Sequence, residues 1–126
     1  MFDSPEAAED AYYDALEAAD IGSLGSVWNN SDDSYCLLPM MPLLKGQQNI
    51  LKAFAHMLSQ SGGLDISIEH TEWIHQESLA IHIGLEQTPQ GAEHNQPPLI
   101  AVNTYIKTNQ GWQLLGHQNS PSAAPA

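Results

Sequence analysis

The chain has 126 residues, which is the length of one domain, and 42% of them are apolar, enough to form a core. Fifteen acidic residues, three lysines and no arginine give a formal net charge of −12. This balance argues against a nucleic-acid-binding protein and against a protein that binds an anionic membrane surface. It also leaves an anionic substrate without the usual arginine clamp.

The single cysteine and the apolar runs indicate the environment of the protein. Cys36 rules out an internal disulfide and a zinc site built from several cysteines, and we expect it to be buried and inert. No apolar run approaches the roughly 18 residues of a membrane helix, and the first ten residues are acidic, unlike a signal peptide. We therefore expect a cytoplasmic protein with one domain over residues 1–121 and a disordered tail over residues 122–126.

The negative charge is concentrated at the start of the chain. Nine acidic residues and no basic residue fall within the first 33 positions. Glu6, Glu9 and Asp10 lie near the positive end of the first predicted helix dipole. We interpret the acidic residues as a solvated face, and the alternative is a surface that docks a basic partner.

Three helices are predicted in the first half of the chain. Ser4-Pro5 begins the first helix with an N-cap hydroxyl and a first-turn proline, and Asp20 caps the second. The third follows Lys45-Gly46 and ends at Gly62-Gly63. The apolar stripes of the three helices comprise Ala8, Ala11, Tyr12, Ala15, Leu16 and Ala19; Ile21, Leu24, Val27 and Trp28; and Ile50, Ala53, Phe54, Met57 and Leu58.

Strands are predicted before and after the third helix. A short strand covers residues 34–38, and residues 39–42 form a bend because proline cannot donate to a strand ladder. From residue 64 the apolar period becomes two. The pattern predicts strands from 64 to a turn at 75–78, over 79–86, over 99–108 and over 112–120, with a polar loop at 87–98 and a hairpin turn at 109–111.

This order of elements predicts an α+β fold. The three N-terminal helices pack on one face of a curved mixed or antiparallel sheet, forming a cone. The open mouth of such a cone is a natural site for a small molecule.

Several segments together resemble one protein family. The segment AYYDALEAADIGSLGSVWNNSDDSYCLLP holds a helix that ends in alanine-x-aspartate, a second helix that ends in tryptophan, an acidic loop and a strand that ends in proline. Gly46 then precedes the third helix, and Asn103-Thr104-Tyr105, Gly111-Trp112 and residues 117–121 resemble a final hairpin. The chain is similar to the SnoaL-like proteins of the nuclear-transport-factor-like superfamily, relatives of ketosteroid isomerase. The resemblance implies a cystatin-like α+β barrel that is usually dimeric through its sheet.

The resemblance implies two hydrogen-bond donors for a reacting oxygen. Tyr12 matches the isomerase tyrosine that donates to the enolate oxygen, and Asn103 matches the second oxyanion donor. Leu38 stands where the isomerase has its aspartate base, and leucine cannot accept a proton. We therefore expect ketosteroid isomerase activity to be absent or weak. The alternative for Tyr12 is a core tyrosine whose hydroxyl is satisfied.

His117 is predicted to replace the missing base, since an imidazole titrates near neutral pH. Alternation along its strand places Gln113, Leu115 and Asn119 on the same face. Pairing Thr108 with Trp112 across the hairpin would make Asn103 and His117 cross-strand neighbours, although a one-residue slip would put them on opposite faces. We expect both to converge with Tyr12 on one cavity. The alternative is a structural histidine.

Further residues are predicted to line the cavity: Trp28, Leu38, Met40, Phe54, Trp73, His82, Glu86, Tyr105 and Asn119. Aromatic and methionine side chains at these spacings also suit plain core packing, and Glu86 also suits sheet surface or a dimer interface. His82 and Glu86 lie roughly 13 Å apart along one strand face, so each would need a partner from a neighbouring strand.

The six histidines do not form a metal-binding pattern. His70 and His75 point to opposite faces of one strand unless a bulge intervenes. No helical pair of histidines with the spacing of a zinc motif occurs. We expect neither a metal nor another cofactor.

Two classes of function remain open. The first is a cone that binds a small, largely apolar molecule and acts as an isomerase-, cyclase- or dehydratase-like proton-transfer enzyme without the usual aspartate. The second is a non-catalytic interaction or regulatory module with an acidic docking helix. In both cases we expect a homodimer, because segments such as Leu79-Ala80-Ile81 and residues 99–102 carry apolar side chains on both faces of the sheet.

Overall fold

A computed structural model of the chain describes residues 1–123 and packs helices on one six-stranded sheet. The elements are α1 (Pro5–Ala18), α2 (Ile21–Val27), β1 (Tyr35–Leu37), β2 (Leu44–Lys45), α3 (Gln47–Ser61), β3 (Ser67–His75), β4 (Leu79–Gln87), α4 (Pro89–Glu93), β5 (Leu99–Thr108) and β6 (Gly111–Pro121). The strand order is β2-β1-β6-β5-β4-β3, and all pairs are antiparallel except β1 with β6. The predicted α+β class and the three helices are confirmed.

The helix starts follow the capping residues that the sequence predicts. The Ser4 side chain accepts a hydrogen bond from the Ala7 amide at 3.0 Å, and Pro5 occupies the first turn of α1. Asp20 accepts from the Ser23 amide at 3.0 Å and begins α2. These caps fix the ends of α1 and α2, so that the buried face of α1 lies against the sheet and α2.

Gly63 permits a close approach between the end of α3 and the end of α1. Its φ is +130°, and a Cβ atom there would lie 2.3 Å from the carbonyl oxygen of Glu17. The next residue, Leu64, donates its amide to the Leu16 carbonyl at 2.8 Å. A side chain at position 63 would therefore separate two segments that are joined by a backbone hydrogen bond.

The more apolar face of β4 is the outer one, and the face that packs against the helices carries polar residues. Ala80, His82, Gly84 and Glu86 are buried beneath the helices, whereas the leucines and isoleucines of the opposite face are only half-buried. The inner face thus places polar groups in the interior, where each needs a hydrogen-bond partner. The outer face leaves apolar side chains partly in contact with water.

The β5–β6 hairpin pairs Asn103 with His117, as predicted, but through a different register at its tip. Thr108 pairs with Gly111 rather than Trp112, so the turn is one residue shorter than predicted. A bulge between Thr104 and Tyr105 then shifts the register by one residue. The shorter turn and the bulge shift the register by one residue in opposite directions, so Asn103 still pairs with His117.

The bulge also changes which residues of β6 point inward. Trp112 and Leu114 are buried on the tip side of the bulge, and His117 is buried beyond it. The predicted face that joined Gln113 and Leu115 to His117 is therefore wrong, because simple alternation fails across a bulge.

A second bulge, between His70 and Glu72 in β3, brings two histidines to the same face. Simple alternation would separate His70 from His75. In the structure His70 bonds to His82 of β4, and His75 bonds to Glu6 of α1. Both rings therefore lie on the helix-covered side of the sheet.

The remaining differences from the predicted elements are small. The predicted loop at 87–98 contains the single-turn helix α4, whose N-cap Thr88 accepts from the Gly91 amide. The predicted bend after β1 is followed by the two-residue strand β2. In the predicted tail, the Ser122 hydroxyl donates to the Pro98 carbonyl, while residues 124–126 lie outside the described part of the chain. Within residues 1–123, no helix is long and apolar enough to cross a membrane.

Candidate functional site

A cavity of about 340 Å³ opens between α1, α3, the segment after β1 and the inner face of the sheet. Most of its wall is apolar and comprises Leu16, Leu38, Pro39, Met41, Phe54, Met57, Leu64, Ile66 and Leu99. Its volume is at the lower end of the ~300–1,000 Å³ range of small-molecule sites. The polar residues of the wall are Tyr12, Glu86, His117 and Asn119. The last three lie on β4 and β6, so the polar part of the wall is carried mainly by the sheet.

Tyr12 brings a hydroxyl to this wall from α1. Its side chain is buried and packs edge-on against Tyr13, Trp28 and Phe54. Tyr12 lines the cavity, so its hydroxyl can donate to a ligand there. Burial, with the nearby Cys36 and Glu86, raises the pKa of Tyr12 well above its usual value, so the hydroxyl stays protonated and donates.

His117 lies at the inner end of the cavity and is 1% exposed. Its Nδ1 lies 2.5 Å from Asn103 Oδ1, and its Nε2 lies 3.0 Å from Asn119 Oδ1. The Glu86 carboxylate is 3.9 Å from Nε2. The histidine ring is thus held from both sides by amides, with a carboxylate as its nearest charged neighbour.

Glu86 is buried and shares its two oxygens between α1 and β6. Tyr13 donates its hydroxyl to Oε2 at 2.7 Å, and Asn119 donates its amide to Oε1 at 2.9 Å. Burial and the Glu86 charge raise the pKa of Tyr13, which keeps that donor protonated. The predicted cavity residue Glu86 therefore lies on the cavity wall as part of a satisfied network, rather than on an exposed sheet surface.

Behind the cavity, Glu9 of α1 joins the same network from the opposite side. Its Oε1 accepts hydrogen bonds from His82 at 2.8 Å, Tyr105 at 2.9 Å and Asn103 at 3.0 Å. Asn103 also donates to the Tyr13 hydroxyl at 2.9 Å. Two buried carboxylates, Glu9 and Glu86, are therefore linked through Asn103 and its neighbours.

Several predicted cavity residues belong to this second layer or to the core. Asn103 lies behind His117, and Tyr105 and His82 bond to Glu9, so none of the three lines the cavity. The Trp73 ring stacks on His82 with centroids 4.2 Å apart. Trp28 is a core residue with 0% exposure, packed against Tyr12.

Met40 differs most from its predicted place at the cavity mouth. It is fully exposed, and its φ of +62° turns it away while Pro39 and Met41 line the wall. The structure thus brings together Tyr12, Leu38, Phe54, Glu86, His117 and Asn119 from the predicted set.

Glu9 and Tyr13 belong to the site but are not among the residues predicted for it. Glu9 was assigned to a solvated acidic face, yet it is only 6% exposed. The available signal was positional, because Glu9 and Tyr13 are next to Ala8 and Tyr12 of the buried stripe and therefore border the inner face of α1.

Cys36 of β1 lies across from His117 in the parallel strand pair. It is completely buried, and burial with the Glu86 charge raises the pKa of its thiol to about 12. Its thiol is thus neutral, in agreement with the expected inert residue. Among residues 1–123, no group of three or more histidine, cysteine or carboxylate side chains is arranged to hold a metal ion.

A helix-covered sheet of this kind is the fold of solved NTF2-like proteins, to which the chain is similar. The family model of the SnoaL-like domain matches residues 6–125, and the chain belongs to that family. No curated protein matches the chain.

Solved structures share the fold over nearly the whole chain. A protein from Thiobacillus denitrificans, assigned as a calcium/calmodulin-dependent protein kinase type II association domain, is 28% identical with a TM-score of 0.84, and the match covers 98% of each chain. A Streptomyces avermitilis protein, assigned as a dehydratase of the NTF2-like family, is 23% identical with a TM-score of 0.78 and covers 93% of this chain and 92% of its own. An NTF2-like protein of unknown function from Pseudomonas putida is 16% identical with a TM-score of 0.70, covering 91% and 82%.

Proposed function

We propose that the domain binds a small, largely apolar and uncharged molecule in the cavity, with a hydrogen-bond-accepting oxygen at the polar inner end. The observation that carries the proposal is the composition of the wall: nine apolar residues surround a cavity whose polar groups are Tyr12, Glu86, His117 and Asn119. Such a wall holds an apolar body and fixes its direction through one polar group.

The charge of the site favours a neutral ligand. Glu86 is buried on the cavity wall, and none of the three lysines lines the cavity. A carboxylate ligand would lie near two buried carboxylates, Glu86 on the wall and Glu9 behind it, in a medium of low dielectric where like charges repel strongly. A ketone, ester or lactone oxygen accepts from the Tyr12 hydroxyl without that repulsion.

As an enzyme, such a cone would catalyse proton transfer of the isomerase, cyclase or dehydratase type. Leu38 lies on the cavity wall, so the position that carries the isomerase aspartate in the resemblance faces the cavity but supplies no base. The acid and base functions would then belong to Glu86 and His117 on the sheet, with Tyr12 as donor to the ligand oxygen.

A thermal-shift screen with a neutral steroid, an aromatic ketone and an aromatic carboxylic acid tests the binding proposal. A neutral compound present at 100 times its Kd should stabilise the protein by about 2.7 kcal/mol, whereas the acid should not. Leu38→Trp, which fills the cavity, should abolish the shift. Met40→Trp changes a fully exposed neighbour and should leave it intact. A shift that survives in Leu38→Trp would place binding elsewhere and contradict the proposal.

The second candidate function is a non-catalytic interaction module. The observation that favours it is the 28% identity to the Thiobacillus denitrificans protein that is assigned as an association domain. The acidic α1 would dock a partner in that case. Absence of a thermal shift with every compound, together with binding of a basic partner that is lost when acidic residues of α1 are neutralised, would favour this function over ligand binding.

We also propose that the protein forms a homodimer through the outer face of the sheet. The apolar residues of that face are half-buried on β4 and β5: Leu79, Ile81, Ile83, Leu85, Ile100, Val102 and Ile106. A contiguous apolar surface of this kind is typical of an interface, and a two-fold contact would cover it with the same surface of a second chain.

A further inference from the structure

The two nitrogens of His117 both face oxygen atoms. Nδ1 lies 2.5 Å from Asn103 Oδ1, and Nε2 lies 3.0 Å from Asn119 Oδ1. A neutral imidazole donates from only one nitrogen and accepts at the other. A neutral ring would therefore direct one lone pair at an amide oxygen in a buried site.

The orientations of the two amides are fixed by their other partners. Asn103 Nδ2 donates to Glu9 Oε1 at 3.0 Å and to the Tyr13 hydroxyl at 2.9 Å. The Tyr13 proton is committed to Glu86, so that hydroxyl accepts from Asn103. Rotating the Asn103 amide by half a turn would point its oxygen at the Glu9 carboxylate.

The orientation of the Asn119 amide is fixed in the same way by the partners of its nitrogen. Its Nδ2 donates to Glu86 Oε1 at 2.9 Å and lies 3.4 Å from the Ile100 carbonyl oxygen. The Ile100 carbonyl and the ionised Glu86 carboxylate are acceptors only. Exchanging the amide nitrogen and oxygen would oppose three oxygens, so Oδ1 remains directed at His117.

We infer that Asn103 and Asn119 are positioning residues that hold His117 as a doubly protonated imidazolium, with Glu86 as its counter-ion, so that Glu86 and not His117 is the proton acceptor of the cavity. The part of this inference that concerns proton transfer rests on the proposed function. Glu86 would take a proton from the ligand, the electron pair would stay on the ligand, and the charge gained by the ligand oxygen would be stabilised by the imidazolium and the Tyr12 hydroxyl.

The charged and titratable groups around His117 agree with this assignment. Glu86 on β4 lies 3.9 Å from Nε2, and Glu9 on α1 lies beyond Asn103. The pKa values of Tyr12 and Tyr13 on α1 are raised by burial, as is that of Cys36 on β1, so these groups are neutral. The described charges that face the ring are therefore the two carboxylates, which supply the counter-ions that a buried imidazolium needs.

His82 provides an internal comparison. Its Nδ1 lies 2.8 Å from Glu9 Oε1, and its Nε2 lies 3.0 Å from His70 Nδ1. His70 is exposed and can donate its own Nδ1 proton, so a neutral His82 satisfies both contacts. Each of the two buried histidines thus has a carboxylate neighbour, but the two differ in the atom at the second nitrogen.

Nitrogen-15 NMR of the histidine rings in the full, ligand-free chain tests the inference at neutral pH. We expect both His117 nitrogens to carry protons. Asn119→Leu, which removes the acceptor at Nε2, should leave a single proton on Nδ1, and Asn119→Asp, which keeps an acceptor oxygen, should restore the second. The His82 signals should not change in either variant.

A neutral His117 ring in the unaltered protein would overturn the inference, even if neither variant folds. A doubly protonated ring that persists in Asn119→Leu would show that Asn119 does not position it. Because no ligand is present, these outcomes are independent of the thermal-shift screen, which alone decides the proposed function.

Discussion

Glu6 and Glu9 of α1 form a natural pair for measuring the contribution of the buried network. Each carboxylate bonds to a histidine of the sheet at nearly the same distance, 2.9 Å to His75 and 2.8 Å to His82. The side chains of the first pair are about half exposed, at 48% and 51%, whereas those of the second are 8% and 3% exposed. Removing each carboxylate therefore compares the same contact in two different environments.

We expect Glu9→Ala to lower the free energy of unfolding by about 3–5 kcal/mol, because it leaves His82, Tyr105 and Asn103 without their common acceptor in a buried site. Glu9→Gln keeps one oxygen acceptor and should cost roughly 1–2 kcal/mol. Glu6→Ala should cost only about 0.2–1 kcal/mol, since water replaces the exposed contact.

Urea denaturation followed by circular dichroism measures all three variants against the unaltered protein. The slope of free energy against urea should stay constant, so that the midpoint reports stability. A loss of stability in Glu9→Ala no larger than that in Glu6→Ala would contradict a stabilising buried network around Glu9. That result would indicate that Glu9 belongs to the solvated acidic face predicted from the sequence.

The other predictions concern assembly, partners and single residues. Light scattering at micromolar concentration should give twice the 13.7 kDa chain mass, and a monomer would contradict the proposed dimer. Filter binding at physiological salt should show no nucleic-acid Kd tighter than about 10 μM, because the net charge is −12. The pKa of the Cys36 thiol is raised from 9.0 to about 12. The thiol therefore contributes fully to the free energy of unfolding below pH 9.0, and this contribution is lost as the pH rises towards about 12. The fall in melting temperature over this range should be shallower in Cys36→Ala than in the unaltered protein. In urea denaturation, Gly63→Ala should lower the free energy of unfolding more than Gly62→Ala does. Both residues have a positive φ, but only a Cβ at Gly63 would meet the backbone, at the Glu17 carbonyl. Equal losses in the two variants would contradict this steric reason.

Local rules predicted most of the fold. The caps at Ser4 and Asp20, the end of α3 at Gly62 and the change to a period of two after residue 64 each rest on interactions within a few residues. Such interactions are visible in the sequence because both partners are close along the chain. The short elements β2 and α4 were missed because neither is long enough to show a period.

The site was less predictable because its contacts are long-range. The hydrogen bond between Glu9 and Asn103 joins residues 94 positions apart, and the helical pattern places Glu9 at the border of the buried stripe without identifying its partner on the sheet. Aromatic residues presented the same problem. Trp28 and Phe54 have equivalent places in apolar stripes, yet only Phe54 lines the cavity. The pairing of Asn103 with His117 was predicted through a turn that is wrong by one residue and was corrected by an unpredicted bulge.

The bulge in the last hairpin determines which residues of β6 face the cavity. On the tip side the buried residues of β6 have even numbers, Trp112 and Leu114, and beyond the bulge His117 and the cavity-lining Asn119 have odd numbers. An unbroken strand would instead continue the even series and present Gly116 and Gln118 to the interior. Without the bulge the same sequence would turn His117 to the outer face, whereas deletion of Leu115, the unpaired residue of the bulge, would restore alternation with His117 still facing inward. The ionisable end of the cavity thus depends on this backbone irregularity as well as on the side chains that reach it.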